Sequence, residues 1–406
     1  MSPPISIRSP CASTSAPGSP ASSGLATSSS PASCRAAATT STAPRSRTAG
    51  ETPERTVAKP PRAGTGREGA HPELVGIENA ILDLLVRVED RHLDEMGLDK
   101  GIMKLVTAEE QEAILDHVLN RDGEILQPEI EAGGSCANVL RAASLLGVDA
   151  SYSSAVAGDD TGRLFERGLN ASRVRNRLAR IDGVTGTSVV LVTPDGERTM
   201  NTHLGVCRKY RPEHVPEEDV RKSRIFFTTG YIWDTPNQID AIEHAIEVAR
   251  AAGAKLAIDV ADPFAVRRSR DHLMRHKEQG FDILFANAEE ARMMTGLGPE
   301  AAARELAKTI DVVAVKDGVR GAWVRRGDEV HRVPAHQVDV VDTTGAGDCF
   351  AAGFLYGLLR GLSIRTCCEI GIAMAADTIT HLGVKLSPDI RERLTAIEQR
   401  QAAAVQ

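Results

Sequence analysis

No apolar run in this 406-residue chain approaches the roughly 20 residues of a membrane span, and no secretory h-region is present. Metal-ligand spacing is missing from its seven cysteines. Cys11 and Cys34 lie near the start, Cys136, Cys207 and Cys349 are far apart, and Cys367 and Cys368 are adjacent. A disulfide framework or structural zinc site is therefore not expected, and a reducing, cytoplasmic compartment fits best. No internal repeat is found. Residues 1–70 lack large apolar side chains and are dominated by Ser, Ala, Pro, Thr and Gly, too little to offset the entropy of ordering, so a disordered tail is expected. That tail has scattered Arg and no acidic residue before Glu51, which resembles an organellar transit peptide. The alternatives are a plain extension and a start codon assigned too far upstream.

Charge divides the chain at the same point. Residues 1–70 hold eight Lys/Arg against three Glu, so of the formal net charge of −7 the remainder carries −12. An acidic body argues against a nucleic-acid surface, while a local basic cleft for a nucleotide stays compatible with it. The expected partner is a small molecule, with no nucleic acid and no membrane, on a monomer or homodimer.

From Leu74 onward apolar runs alternate with helical patterns. Glu73 to Leu85 reads as one strand leaving through Gly76, and Cys136 to Leu146 as a helix after Gly133-Gly134. Thr187 to Val192 and Arg198 to Thr202, joined by Pro194-Asp195-Gly196, have hairpin chemistry. A regular series follows: strands at 224–229, 255–260, 282–286 and 311–316, with helices at 237–252, 264–278 and 300–309. This order implies right-handed crossovers and a parallel sheet covered on both faces, with ligands beyond the carboxyl ends of its strands.

The most informative stretch is Val340 to Phe354. Val338, Val340 and Val341 read as a strand feeding Gly345-Ala346-Gly347, and an Ala/Leu-rich helix follows to about Arg360. A helix start exposes unpaired N–H groups and attracts an anion, and glycines let the anion come close. Asp348 on the first turn would repel a phosphate unless it has chemical work to do. Gly345-Ala346-Gly347 lacks the third glycine of a dinucleotide fingerprint and lies at the far end of the chain, which excludes a dehydrogenase reading.

Asp342-Thr343-Thr344-Gly345-Ala346-Gly347-Asp348 resembles the C-terminal signature of the ribokinase-like (PfkB) sugar and nucleoside kinases. Gly133-Gly134-Ser135-x-x-Asn138, Gly158-Asp159-Asp160-x-Gly162 and Asn287-x-x-Glu290 extend the likeness over about four-fifths of the chain. The resemblance implies an α/β, three-layer αβα sandwich over residues 71–406 with a mostly parallel central sheet. It adds a small β-rich lid from segments near 84–105 and 187–202. It implies ATP-dependent phosphorylation of a primary hydroxyl, with Asp348 as base and the amides of Gly345, Ala346 and Gly347 as anion hole.

At the acceptor end the resemblance points to Asn79, Asp83, Gly133, Gly134 and Asn138, with Arg198 as a lid arginine reaching toward the phosphate. Asn79-x-x-x-Asp83 with Gly-Gly-Ser is similar to the adenosine kinase branch, although Glu78 stands where that branch has a small residue. Adenosine is the expected acceptor, with fructose or ribose as the alternative and a catalytically silent binding subunit as a remote one. On the nucleotide side the resemblance implies Asn287 and Glu290, the latter holding Mg²⁺ through water, though the same pair reads as a capping box. Gly318 and Gly321 would line the ATP site in a loop where Lys316 stands in place of the family threonine. His381 is a candidate for closing over adenine, and Asp342 for holding K⁺ through its backbone.

Overall fold

The computed structural model describes residues 71–121, 124–125 and 127–405, so the expectations for residues 1–70 lie outside the described residues. Nine strands form the main sheet, in the order Glu329–Val333, Ala322–Arg326, Val312–Lys316, Ile283–Asn287, Lys255–Asp259, Ile225–Thr229, Leu74–Ile77, Ala150–Val156, Arg175–Arg180. All neighbours are parallel except for the two antiparallel pairings at the Glu329–Val333 edge.

Period-two alternation distributes the strand side chains between two cores. Leu74, Ile225, Phe227, Ile283, Phe285, Val312 and Ala314 face the helices Ser135–Leu145, Ala346–Leu359 and Ile364–Thr378. Val75, Phe226, Leu284, Ala286, Val313 and Val315 face the helices Pro236–Ala252, Ala288–Thr295 and Pro299–Leu306. The three-layer αβα expectation is met, and both faces of the sheet are dry.

A second sheet runs Met103–Leu105, Arg198–Gly205, Thr185–Val192, Ile81–Arg87, Glu129–Ala132. Its outer face packs Leu84, Val86, Val189 and Leu191 against Leu93, Ile114 and Val118 of the helices Asp90–Met96 and Ala108–Leu119. The hairpin expected at 187–202 is present, paired from Thr185 to Gly205.

Two expectations need correction. The run 73–85 is two strands in different sheets, interrupted by Glu78-Asn79-Ala80. There the chain leaves the ladder: Glu78 accepts the Cys136 N–H at 2.6 Å, and the Ala80 N–H bonds Ser154 Oγ at 2.9 Å. Both flanking strands are apolar, so hydropathy alone runs through the break. Val338 to Val341 is not a strand; Val340 and Val341 are 58% and 54% exposed and pair with no sheet.

Candidate active site

Five parallel strands end at one cavity of ≈ 650 Å³. Glu78 and Asn79 follow Leu74–Ile77, Tyr231 follows Ile225–Thr229, Asp259 ends its strand, Glu290 follows Ile283–Asn287, and Lys316 ends Val312–Lys316. The opposite wall is the inner face of the small sheet. Its cross-strand register aligns Asp83, Ser188, Thr202 and Leu105 in one row, while Ile81, Met103, Met200 and Leu204 add apolar surface to that face and Arg198 a charge.

Gly345 caps the helix Ala346–Leu359 in the left-handed conformation, φ +66°, which a Cβ would disfavour. Gly345, Ala346 and Gly347 line the cavity beside Asp348, and the Ala346 N–H donates to the Thr343 carbonyl at 3.3 Å. Asn138 Nδ2 donates to Asp348 Oδ2 at 2.9 Å, whereas the buried Asn138 Oδ1 has no partner. An incoming hydroxyl would find an acceptor there next to a carboxylate. Loss of water around Asp348 raises its pKa to about 6, with Asn138 and Lys316 pulling the other way. A carboxylate of that strength is ionised at neutral pH and can take a proton.

Asp83 approaches so closely that a Cβ on Gly133 would lie 2.2 Å from its Oδ2. Gly133 thus shapes Asp83 from behind and is not itself among the lining residues, unlike Gly134. Burial raises Asp83 to about 7 and Glu78 to about 8. Asn79 is locked in place: its Oδ1 accepts Gln238 Nε2 at 2.7 Å and its Nδ2 reaches the Tyr231 carbonyl at 3.5 Å.

Arg198 lines the cavity, but its guanidinium is engaged with the buried Asp342, Nε to Oδ1 at 3.3 Å. Asp342 also accepts the N–H groups of Thr344 at 3.0 Å and Gly383 at 2.8 Å. Burial alone would raise this carboxyl; those bonds and the arginine hold it below its ordinary value.

At the far end, Asn287 and Glu290 form a reciprocal capping box: Glu290 N–H to Asn287 Oδ1 at 2.8 Å and Asn287 N–H to Glu290 Oε2 at 2.7 Å. Glu290 is nevertheless in the lining, and burial lifts it to about 7 against the pull of Lys316. Both its oxygens are occupied by Asn287, so the donor set fits a hydrated cation held through water better than one ligated directly. Gly318 and Gly321 line the cavity in a single 3₁₀ turn between two strands. His381 lies outside the lining and bonds Ser387 Oγ at 3.0 Å; the long helix ends earlier, at Thr378.

Several lining residues carry no motif. Val319, 81% exposed, the non-strand Val338 and Val340, and Ile372, Ala375 and Ile379 are apolar residues of the lining. Asp259, Lys316 and Arg268 are also present. A signal existed only for the small-sheet face, in the alternation of Met200, Thr202 and Leu204. The motif Gly158–Gly162 is a helix cap: Asp159 accepts the N–H groups of Gly162 and Thr185, both at 2.8 Å.

A glycine-turned helix start beside a carboxylate, at the strand ends of a doubly covered sheet, defines a phosphotransferase type of site. The family model described as pfkB family carbohydrate kinase matches residues 110–391. An ATP-dependent ribose-1-phosphate kinase of Halopiger xanaduensis is 32% identical over 280 residues, covering 68% of this chain and 90% of that protein. The solved adenosine kinase of Sinorhizobium meliloti is 34% identical with TM-score 0.75, covering 82% of this chain and all of that one. A probable sugar kinase from Rhizobium etli is 31% identical with TM-score 0.76, covering 81% and 99%. The chain belongs to the PfkB family and is an ATP-dependent kinase with an alcohol as acceptor.

Proposed function

We propose that the protein transfers the γ-phosphoryl group of ATP to a primary hydroxyl of a nucleoside, adenosine first among them. The observation that carries this is the small-sheet face, where Ile81, Met103, Leu105, Met200 and Leu204 give an apolar wall above Asp83 and Asn138. A free sugar carries hydroxyls around its ring and covers little of such a wall, whereas a nucleobase lays a broad flat face against it. Kinship with the Sinorhizobium adenosine kinase supports the same acceptor. The Halopiger ribose-1-phosphate kinase favours a sugar acceptor instead, and that is the second reading.

In this mechanism Asp348 takes the proton of the hydroxyl, and the unpartnered Asn138 Oδ1 orients the sugar with Asp83. The amides of Gly345, Ala346 and Gly347 receive the phosphoryl oxygens. ATP would lie along the turn at Gly318 and Gly321, with adenine against the apolar lining residues Val319, Val338 and Val340. Glu290 and Asn287 would hold the water shell of Mg²⁺, which would supply positive charge to the phosphates. The small sheet, with segments 84–105 and 187–202, acts as a lid that excludes water from the donor. Asp342 has committed its carboxylate to Thr344, Gly383 and Arg198, which leaves its main-chain oxygen for a potassium ion.

The deciding experiment is a purified-enzyme panel of adenosine, other nucleosides, ribose, ribose 1-phosphate and fructose with MgATP. Adenosine should give the highest kcat/KM. A preference for ribose 1-phosphate or fructose would overturn the acceptor assignment and leave the kinase assignment standing. Potassium dependence is read by exchanging KCl for NaCl in the same assay.

A further inference from the structure

The cavity must receive a polyanion, yet Glu78, Asp83, Asp259, Glu290 and Asp348 all line it. Two of its guanidinium groups are committed elsewhere. Arg198 is paired with Asp342, and Arg268 donates to Asp234 at 2.8 Å and to the Tyr231 carbonyl at 3.0 Å. Lys316 differs. It ends the strand Val312–Lys316, and its Nζ stands 2.7 Å from Asp259 Oδ2, at the end of the strand Lys255–Asp259 two places away in the sheet. The same ammonium abuts the anion turn, because a Cβ on Gly347 would lie 3.1 Å from Nζ.

We propose that Lys316 is a catalytic residue that contacts the migrating phosphoryl group, and that Asp259 is the positioning residue that holds its ammonium against the Gly345-Ala346-Gly347 turn. An ammonium has three donors, and Asp259 uses one. Lys316 lines the same cavity as Gly345, Ala346 and Gly347. Burial by itself would lower the lysine's pKa, but Asp259 and Glu290 together raise it, so the group remains a cation through the reaction. In the step, the acceptor oxygen forms the new O–P bond and its proton passes to Asp348. The bond from phosphorus to the β–γ bridging oxygen breaks, and its electron pair leaves with ADP. Lys316 keeps its proton throughout and offsets the charge on the equatorial oxygens, where amides alone supply only partial charges. This role rests on the kinase chemistry and is independent of which alcohol is the acceptor.

The structural alternative is that Lys316 only neutralises Asp259 and Glu290. Lys316→Met, Lys316→Arg and Asp259→Asn separate the two. Each is assayed with MgATP and adenosine, with ribose and fructose in parallel, alongside melting temperature and the affinities for MgADP with and without aluminium fluoride. We expect Lys316→Met to lower kcat by about 10²–10³-fold. Affinity for the aluminium fluoride complex should fall by a similar factor, with MgADP alone and the acceptor changed far less. Lys316→Arg should recover part of the rate. Asp259→Asn should lose less, and adding it to Lys316→Met should cost almost nothing more. Turnover in the methionine variant close to wild type would overturn the proposal, as would a rate loss that tracks a lowered melting temperature. Should that variant not fold, Lys316→Gln replaces it: a folded glutamine variant that loses rate and aluminium fluoride affinity together supports the contact, and one indistinguishable from wild type in both counts against it. If wild type ignores adenosine but phosphorylates a sugar, the acceptor assignment fails while the same comparison on that sugar still tests Lys316.

Discussion

The two sheets contribute to one cavity by opposite means. The main sheet delivers charge: Asp259, Glu290, Lys316 and, through the neighbouring helix, Asp348 all arrive at strand ends or just beyond them, where the parallel topology leaves a crevice. The small sheet delivers surface, one pleated face with an Asp83–Ser188–Thr202–Leu105 row amid apolar neighbours. In the proposed mechanism the reaction chemistry resides on the sheet covered by helices on both faces, and acceptor fit on a sheet that has its own separate core. The two are stitched together at the cavity by Arg198 on one sheet and Asp342 at the start of the catalytic turn.

The largest effect should come from removing the base on the main-sheet side. Asp348→Asn is expected to cut kcat by at least about 10²–10⁴-fold while acceptor affinity by calorimetry changes little; wild-type-like turnover would sink the mechanism. Next is the stitch. Arg198→Ala leaves Asp342 buried without its cation, and breaking such a pair costs about 3–5 kcal/mol, to be read as a lowered denaturant midpoint. If stability is unchanged, the two sheets are coupled by something other than this pair.

A pH profile tests the charged side alone. Asp348 acts in its ionised form, so kcat at saturating acceptor should fall about tenfold per unit below its pKa of about 6. A profile that is flat to pH 5 would assign the base elsewhere. Stability has the opposite sign at Glu78. Its folded pKa, about 8, lies above the ordinary 4.5, so the native state binds the extra proton between those values and loses stability as pH rises through them. Glu78→Gln keeps an acceptor for the Cys136 N–H and should stabilise the protein by about 1–3 kcal/mol at pH 8, with no gain at pH 4. Thermal melts at the two pH values measure it. The smallest effect belongs to the small sheet: Met200→Ala should raise the KM for adenosine about 3–10-fold, consistent with the loss of one buried apolar contact, with kcat nearly kept. An equal loss in kcat would mean that the lid face also sets the chemistry.

Much of this was legible from residues alone, and unevenly so. The anion turn was readable because its requirements are local: a glycine at positive φ, a helix start and a carboxylate on the first turn. The capping box at Asn287 and Glu290 was readable for the same reason. Glu73 to Leu85 misled because burial in two different cores looks like one apolar run. Val338 to Val341 misled because β-branched residues at a cavity wall, such as Val338 and Val340, have the composition of a strand. His381 was placed near adenine by analogy, but the turn after Thr378 carries it to Ser387 instead.

By itself the sequence determined the alternation of strands and helices, the glycine turn before Asp348 and the class of reaction, because each is written in contiguous residues and short spacings. Tertiary structure decided which distant side chains meet. It paired Lys316 with Asp259 and Arg198 with Asp342, left Asn138 Oδ1 open beside Asp348, and set the Met103 and Met200 strands side by side. Those contacts depend on strand order and register, which no local pattern encodes, and they govern how the turn is charged and which alcohol can reach it.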